Sequence, residues 1–205
     1  TTSPQAAEGV NVLHRTQLRY GAQLCVSTGT VVTFNGQFKG GIVNAANESG
    51  LGGGGVDGAI SRAAGDALYQ ARLALPVQAG NVRIPTGSAR VTGPQKFGSL
   101  KVPYVIHAVG PNYSTLPLDQ LEDGDQLLMG AYEASMACAQ EAGVELLGFS
   151  LLSAGVYRGP RSLQDVISIA VNALVRHSYE GLREVHLISF TAEETEVLLS
   201  VVNQL

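Results

Sequence analysis

The sequence predicts an α/β fold in which a mainly parallel sheet is covered by helices on both faces. Three observations carry that expectation. Short apolar runs alternate with segments of helical spacing along the whole chain. Two of the runs, Tyr104–Val109 and Leu146–Leu152, are apolar almost without a break, as strands buried on both faces are. Two glycine-containing loops each follow a strand, and ligands on such sheets bind in the crevice outside the carboxyl ends of the strands.

The elements follow in chain order. The polar opening Thr1–Glu8 reads as a loose tail or leader, so a flexible tail is expected over residues 1–10 and one domain over 11–205. Gln23–Ser27 reads as a strand and Val31–Phe34 as a short extended piece. Gly40-Gly41 leads into a short apolar strand at Ile42-Val43. Asn44–Gly55, rich in Gly and Asn, is a loop. Val56, Ile60, Ala63/Ala64, Ala67/Leu68, Ala71 and Leu75 recur every three or four residues, which predicts one helix over Val56–Leu75, stopped by Pro76.

Ser88–Thr92 and Tyr104–Val109 are strands, and Gly110-Pro111-Asn112 is a turn. A long helix is expected over Gln120–Ala142, with Leu127, Ala131, Ala134, Cys138 and Ala142 inward and Gly143 at its C-terminal end. Leu146–Leu152 is a strand, Ser153–Arg161 the second loop, Leu163–His177 a helix, Val185–Phe190 a strand and Glu193–Val202 a closing helix.

A chain of 205 residues fits one domain at roughly 100–200 residues per domain. Hydrophobic residues make up 45% and charged residues 15%, the reverse of a disordered composition. The net charge of −4 and pI near 5.5 argue against a broad nucleic-acid surface, which needs clustered Lys and Arg. They leave room for a small anion held by backbone amides. Cys25 and Cys138 lie far apart among apolar residues and read as plain buried thiols, which suits a reducing, intracellular setting. No run approaches the ~18 apolar residues of a membrane span, and the N-terminus shows no basic-then-apolar signal. The four histidines, among them His107 in an apolar strand, have no metal-site spacing. No metal, cofactor or membrane partner is expected, and a monomer is.

The first loop carries the strongest signal. It reads Val43-Asn44-Ala45-Ala46-Asn47-Glu48-Ser49-Gly50-Leu51 and then Gly52, Gly53, Gly54 and Gly55 before Val56-Asp57-Gly58. Four consecutive glycines let backbone approach a ligand closely, and a helix start points amides and a positive dipole at an anion. Gly50, Gly52 and Gly55 also match the dinucleotide fingerprint G-x-G-x-x-G. That reading wants an acidic residue about 20 residues on, and Gln70–Gly80 contains none. A flexible loop without a ligand is the remaining alternative, set against the conformational entropy four glycines lose.

The block Asn44-Ala45-Ala46-Asn47 followed by Gly52–Gly55, Val56, Asp57 and Gly58 resembles the signature of macrodomains, nearest the MacroD-type branch that removes ADP-ribose from proteins. Leu152-Ser153-Ala154-Gly155-Val156-Tyr157 is similar to that family's second phosphate loop, and Ile106-His107-Ala108-Val109-Gly110-Pro111 to its middle strand. With Gly29-Thr30-Val31 these blocks run in the family's order over Leu24–Phe190.

The resemblance implies a three-layer α/β/α sandwich with a central mixed, mostly parallel sheet. It implies ADP-ribose and mono-ADP-ribosylated proteins as partners. Gly52–Gly55 and Val56 would line the pyrophosphate and distal ribose, and Ser153, Ala154, Gly155 and Val156 would wrap the diphosphate from the other side. Tyr157 would pack on the distal ribose and Phe190 stack on adenine. Asn47 would hold the distal ribose, and Asp57 would orient that ribose and the attacking water. The implied reaction frees an Asp or Glu side chain from mono-ADP-ribose and extends to O-acetyl-ADP-ribose; a non-catalytic reader of ADP-ribose is the alternative. Apart from the family, Asp57 reads as a first-turn acid favoured by the helix dipole, and Asn44 reads equally as a ligand group or a loop tie.

Three residues depart from the family pattern. Thr30 stands where the family has an Asp for the adenine amino group, with Val31 beside it. Arg158 follows Tyr157 where a glycine is usual. Glu48 adds a charge to the first loop.

Overall fold

A computed structural model describes residues 6–205. Seven strands and five α-helices follow one another as β1 (Asn11–Gln17), β2 (Gln23–Thr28), β3 (Gly40–Ala45), α1 (Gly55–Ala64), α2 (Asp66–Leu73), β4 (Ala89–Thr92), β5 (Tyr104–Ala108), α3 (Leu121–Glu141), β6 (Leu146–Ser150), α4 (Leu163–Arg176), β7 (Glu184–Ser189) and α5 (Ala192–Val202). All strands lie in one sheet of order β1-β2-β7-β6-β3-β5-β4. The five central strands are mutually parallel, and β1 and β4 close the edges antiparallel.

Helices α3, α4 and α5 pack on one face of the sheet, over Val26, Val43, Ile106, Leu147, Phe149 and Leu187. Helices α1 and α2 cover the other with Ile60, Ala64 and Leu68 against Phe34, Ile42 and Val105. This is the expected three-layer sandwich with a mixed, mostly parallel sheet. Because the central strands run the same way, their carboxyl ends share one edge. The loops after β2, β3, β5, β6 and β7 therefore meet there.

Four expectations need correction. The region expected as one helix over Val56–Leu75 is two, because Gly65 between α1 and α2 takes φ 64°, ψ −156°, which no helix contains. Val31–Phe34 is a turn: Thr30 O accepts from Thr33 N at 3.2 Å and from Thr33 Oγ1 at 3.0 Å, a local tie that draws the chain out of extended form. On α3 the inward stripe is Leu128, Ala131, Tyr132, Met136 and Ala139, while Leu127 is 38% exposed; the helix packs against both β4–β5 and its neighbour α4, and that double contact sets the stripe about one residue from the expected one. Finally, β1 was not expected at all. Its residues alternate between exposed and half-buried, as an edge strand allows, and its register is held by pairing to β2.

Residues 1–5 of the expected tail lie outside the described residues. Ala7 and Glu8 are held in place. Ala7 N donates to Glu184 Oε2 at 3.0 Å, and Glu8 and Asn35 exchange backbone bonds of 3.1 and 2.8 Å. Both cysteines are free thiols, Cys25 buried and Cys138 half-buried. Burial pushes the Cys25 thiol up to about 12.

Candidate functional site

The first loop leaves β3 at Ala45 and enters α1 at Gly55. Its shape is set by its own polar side chains. Asn47 Nδ2 donates to Gly52 O at 3.0 Å, Asn47 Oδ1 accepts from Ser49 Oγ at 2.6 Å, and Gly50 N donates to Asn47 O at 3.0 Å. The loop then runs outward: Gly53, Gly54 and Gly55 are exposed, and a Cβ on Gly54 or Gly55 would meet no atom within 4 Å. Gly53 is different. A Cβ there would stand 3.1 Å from Asn47 Nδ2 and 3.4 Å from Asp57 Oδ2. The missing side chain at Gly53 thus leaves open the space where the Asn47 amide and the Asp57 carboxylate converge.

Asp57 sits in the first turn of α1 and is only 2% exposed. Burying a carboxylate is costly unless it is paired and hydrogen-bonded. Here Oδ1 accepts from Arg72 Nη2 at 2.7 Å and from Asn44 Nδ2 at 3.0 Å. Asp57 Oδ2 and Asn44 Oδ1 are buried without a hydrogen-bond partner. Asn44 Nδ2 also faces His107 Nδ1 at 3.2 Å, and His107 Nε2 lies 3.0 Å from Thr92 Oγ1. The Thr92 hydroxyl donates its one proton to Val105 O at 3.1 Å. His107 Nε2 is therefore the donor to Thr92, and Nδ1 accepts from Asn44. Burial, and then the charge of Arg72, hold the His107 pKa well below its ordinary value, so the ring is neutral. His107 is the buried core histidine the sequence suggested. Asn44, near the end of β3, is bonded to Asp57 through its amide.

The second loop follows β6. Leu152 N donates to Tyr132 Oη at 2.9 Å, and Ser153, at φ 53°, donates through Oγ to Pro111 O at 2.8 Å. Gly110 is required by that contact: a Cβ on it would fall 2.4 Å from Ser153 Oγ. Tyr157 O accepts from Tyr113 N at 2.8 Å. Between these anchors, Gly155 is exposed and Val156 is 89% exposed, with Tyr157 half-buried beside them. Ala154 is buried in the core. At the end of β7, Phe190 is 83% exposed, its backbone N tied to Glu194 Oε2 at 2.7 Å.

The loop edge therefore gathers Asn44, Asn47, Gly52–Gly55, Val56, Asp57, Ser153–Tyr157 and Phe190, each where a strand's carboxyl end delivers it. Val31 differs from the rest, since its side chain is buried among the core residues of the α1–α2 face. Thr30 uses its hydroxyl to accept from Val32 N at 3.3 Å. The Glu48 carboxylate is engaged by Thr86, whose N and Oγ1 donate at 3.0 and 2.8 Å, which turns its charge toward that neighbouring segment. Arg158, next in sequence to Tyr157, is half-buried.

Arg72 is the residue sequence reasoning missed. Ile60, Ala64, Leu68 and Arg72 follow at four-residue steps. An arginine in line with an apolar stripe was the available sign.

A second polar group lies away from the loop edge. Cys25, Glu184 and His186 bring a sulfur, a carboxylate oxygen and a ring nitrogen within 4.8 Å of one another. The histidine and the glutamate are already engaged. His186 Nδ1 pairs with Ser27 Oγ at 2.9 Å and Nε2 with Glu184 Oε2 at 3.0 Å, while Arg15 lies 3.7 Å from Glu184 Oε1. The arrangement ties β1, β2, β7 and Ala7 together.

The family model for the Macro domain matches residues 43–170, which include both loops and the strands between them. The chain belongs to the macrodomain family. This macrodomain is 36% identical over 162 residues to a Pantoea vagans protein named O-acetyl-ADP-ribose deacetylase 1, covering 79% of this chain and 90% of that one. It is 36% identical over 165 residues to an O-acetyl-ADP-ribose deacetylase of Escherichia fergusonii, covering 80% and 87%. Among solved structures, the Oceanobacillus iheyensis macrodomain with ADP superimposes with a TM-score of 0.76 at 26% identity, covering 98% of this chain and 97% of that one. The Trypanosoma brucei macrodomain in complex with ADP-ribose does so with 0.70 at 28%, covering 87% and 68%.

Proposed function

We propose that this macrodomain binds ADP-ribose across the loop edge and hydrolyses its acyl esters, both the mono-ADP-ribose linked to Asp and Glu side chains and O-acetyl-ADP-ribose. One observation carries the reading. Beside a glycine stretch open to a diphosphate, a buried carboxylate has one oxygen fully engaged and the other unpartnered, facing the gap at Gly53. The relatives named as O-acetyl-ADP-ribose deacetylases and the neighbours holding ADP and ADP-ribose support it.

In this reading the amides of Gly52–Gly55, Val56 and Ser153–Val156 receive the diphosphate. Tyr157 lies against the distal ribose, and Phe190, unpacked against its own chain, stacks on adenine. Thr30 and Val31 border the adenine end through a neutral turn. Asn47 Nδ2, which has a second proton beyond the one given to Gly52, holds a distal ribose hydroxyl. Asp57 Oδ2 accepts from a ribose hydroxyl or from the attacking water. On the Asp- or Glu-linked substrate, water displaces the carboxylate at the anomeric carbon, and its proton leaves with the products, ADP-ribose and the free acid; on O-acetyl-ADP-ribose, water adds to the acetyl carbonyl and the ribose oxygen leaves, taking up the proton, to give acetate and ADP-ribose. In the first reaction the leaving group is already a stable anion, so positioning is the main contribution of the protein.

The test is direct. A protein mono-ADP-ribosylated on Asp or Glu, and separately O-acetyl-ADP-ribose, are incubated with the macrodomain, and released ADP-ribose is measured alongside calorimetric binding of ADP-ribose. Release from both substrates is expected. Tight binding without release would leave a reader of ADP-ribose instead, and a preference for NAD over ADP-ribose would overturn the site assignment.

A further inference from the structure

Arg72 is the largest of the fully buried side chains. Hiding a guanidinium is costly unless its charge is paired, and here both terminal nitrogens are engaged while Nε is buried without a partner. Helix α2 turns Arg72 inward against α1, where Nη2 donates to Asp57 Oδ1 at 2.7 Å and Nη1 to Ser61 Oγ at 2.9 Å. The glycine loop lies over this contact: a Cβ on Gly52 would stand 3.6 Å from both Arg72 Nη1 and Ser61 Oγ. Asp57 Oδ1 is thus gripped by Arg72 and by Asn44. A carboxylate held by two donors on one oxygen has its rotation fixed, and the other oxygen is presented to the gap at Gly53.

We propose that Arg72 is a positioning residue for the hydrolysis: it locks the Asp57 carboxylate so that Oδ2 faces the ligand. The inference rests on the hydrolase reading above. Arg72 reaches Asp57 and Ser61 at once because its donors are spread over a planar fork. A lysine ammonium at the same place supplies charge without that geometry.

The experiment compares wild type with Arg72→Met and Arg72→Lys. A hollow of about 300 Å³ opens beside Leu51, Ser61, Tyr69 and Arg72, and in Arg72→Met the Asp57 oxygen keeps its bond from Asn44 Nδ2. For each protein, kcat and KM for ADP-ribose release, the Kd for ADP-ribose and the NMR resonances of the Asn44 side-chain amide are measured. Those amide protons lie against Asp57 and His107 and report the carboxylate's position. In Arg72→Met, kcat falls about a hundredfold, the cost of a misplaced catalytic group. KM and Kd stay within about threefold, the pattern of an interaction used in the transition state. Arg72→Lys recovers part of kcat, and the Asn44 resonances move in Arg72→Met. Unchanged kcat, or a loss that merely tracks the folded fraction, overturns the proposal. Should the wild type release no ADP-ribose, the hydrolase reading fails by itself. The Asn44 resonances then decide the clamp: shifted in Arg72→Met they uphold it, unmoved they refute it.

Discussion

Asp57 and Gly54 stand three residues apart and separate chemistry from binding. Asp57→Ala removes the oxygen that faces the gap and is expected to lower turnover at least about a hundredfold. ADP-ribose affinity, spread over two loops of backbone amides, is expected to persist. The same substitution leaves the Arg72 guanidinium buried and unpaired, a fault that typically costs about 3–5 kcal/mol. Thermal melting should register that loss, and Asp57→Asn, which keeps the volume and an acceptor, should soften it. An Asp57→Ala protein that is fully active removes this residue from the mechanism. Gly54→Glu makes the opposite separation. Gly54 has φ −87° and open space around its missing Cβ, so the fold accepts a side chain there. The added carboxylate would stand among the amides offered to a diphosphate, and like charges about 4 Å apart near a surface repel by about 4 kcal/mol. Calorimetry should show binding reduced at least about a hundredfold with an unchanged melting temperature; normal affinity would mean the loop is misassigned. At this scale Asn47 and Asp57 were legible because the loop that holds them is contiguous in sequence. Arg72 left only one sign, its place in line with Ile60, Ala64 and Leu68, and its partner fifteen residues back is opposite it only in the fold.

The junction of α1 and α2 turns on one residue that apolar periodicity does not register. Apolar spacing continues through the junction, so periodicity alone reads one helix. The break is written in a single residue, Gly65, whose φ 64° and ψ −156° belong to a region open to glycine and hardly to other residues. The break re-aims α2 so that Leu68 meets the core and Arg72 meets Asp57. Gly65→Ala is therefore expected to cost about 1–3 kcal/mol of stability. A Cβ there touches nothing, so the cost is backbone strain alone. Urea denaturation would measure it. A loss below a few tenths of a kcal/mol would show that the junction tolerates ordinary backbone and does not by itself aim α2. The central strands were legible because burial on both faces leaves almost uninterrupted apolar runs. β1 was not, since an edge strand is half-solvated and its pairing, not its composition, makes it a strand.

Across the whole molecule the loops depend on a polar column that runs through the core, from Thr92 through His107 and Asn44 to Asp57 and Arg72. Its histidine gives the fold a pH dependence of definite sign. Folding lowers the His107 pKa, because burial penalises the charged ring and the nearby Arg72 charge opposes its protonation. The unfolded chain takes up that proton near the ordinary value of 6.5. The unfolded state then binds more protons, so stability is full above about 6.5 and falls as the pH drops below it, by up to about 1.4 kcal/mol per pH unit for one proton. Glu184 adds a second slope at lower pH. Burial raises its pKa, but hydrogen bonds from His186 and Ala7 N and the charges of His186 and Arg15 outweigh that and lower it from 4.5. Its contribution is present above 4.5 and is lost as the pH falls through the folded value. Denaturant titrations from pH 8 to pH 3 should show both limbs. His107→Gln, which can still pair with Asn44 and Thr92 but does not titrate, should flatten the limb that begins near 6.5. Glu184→Gln should flatten only the acidic one. A His107→Gln protein that keeps the full slope below 6.5 would place that proton on another group and free the column from any role in acid stability.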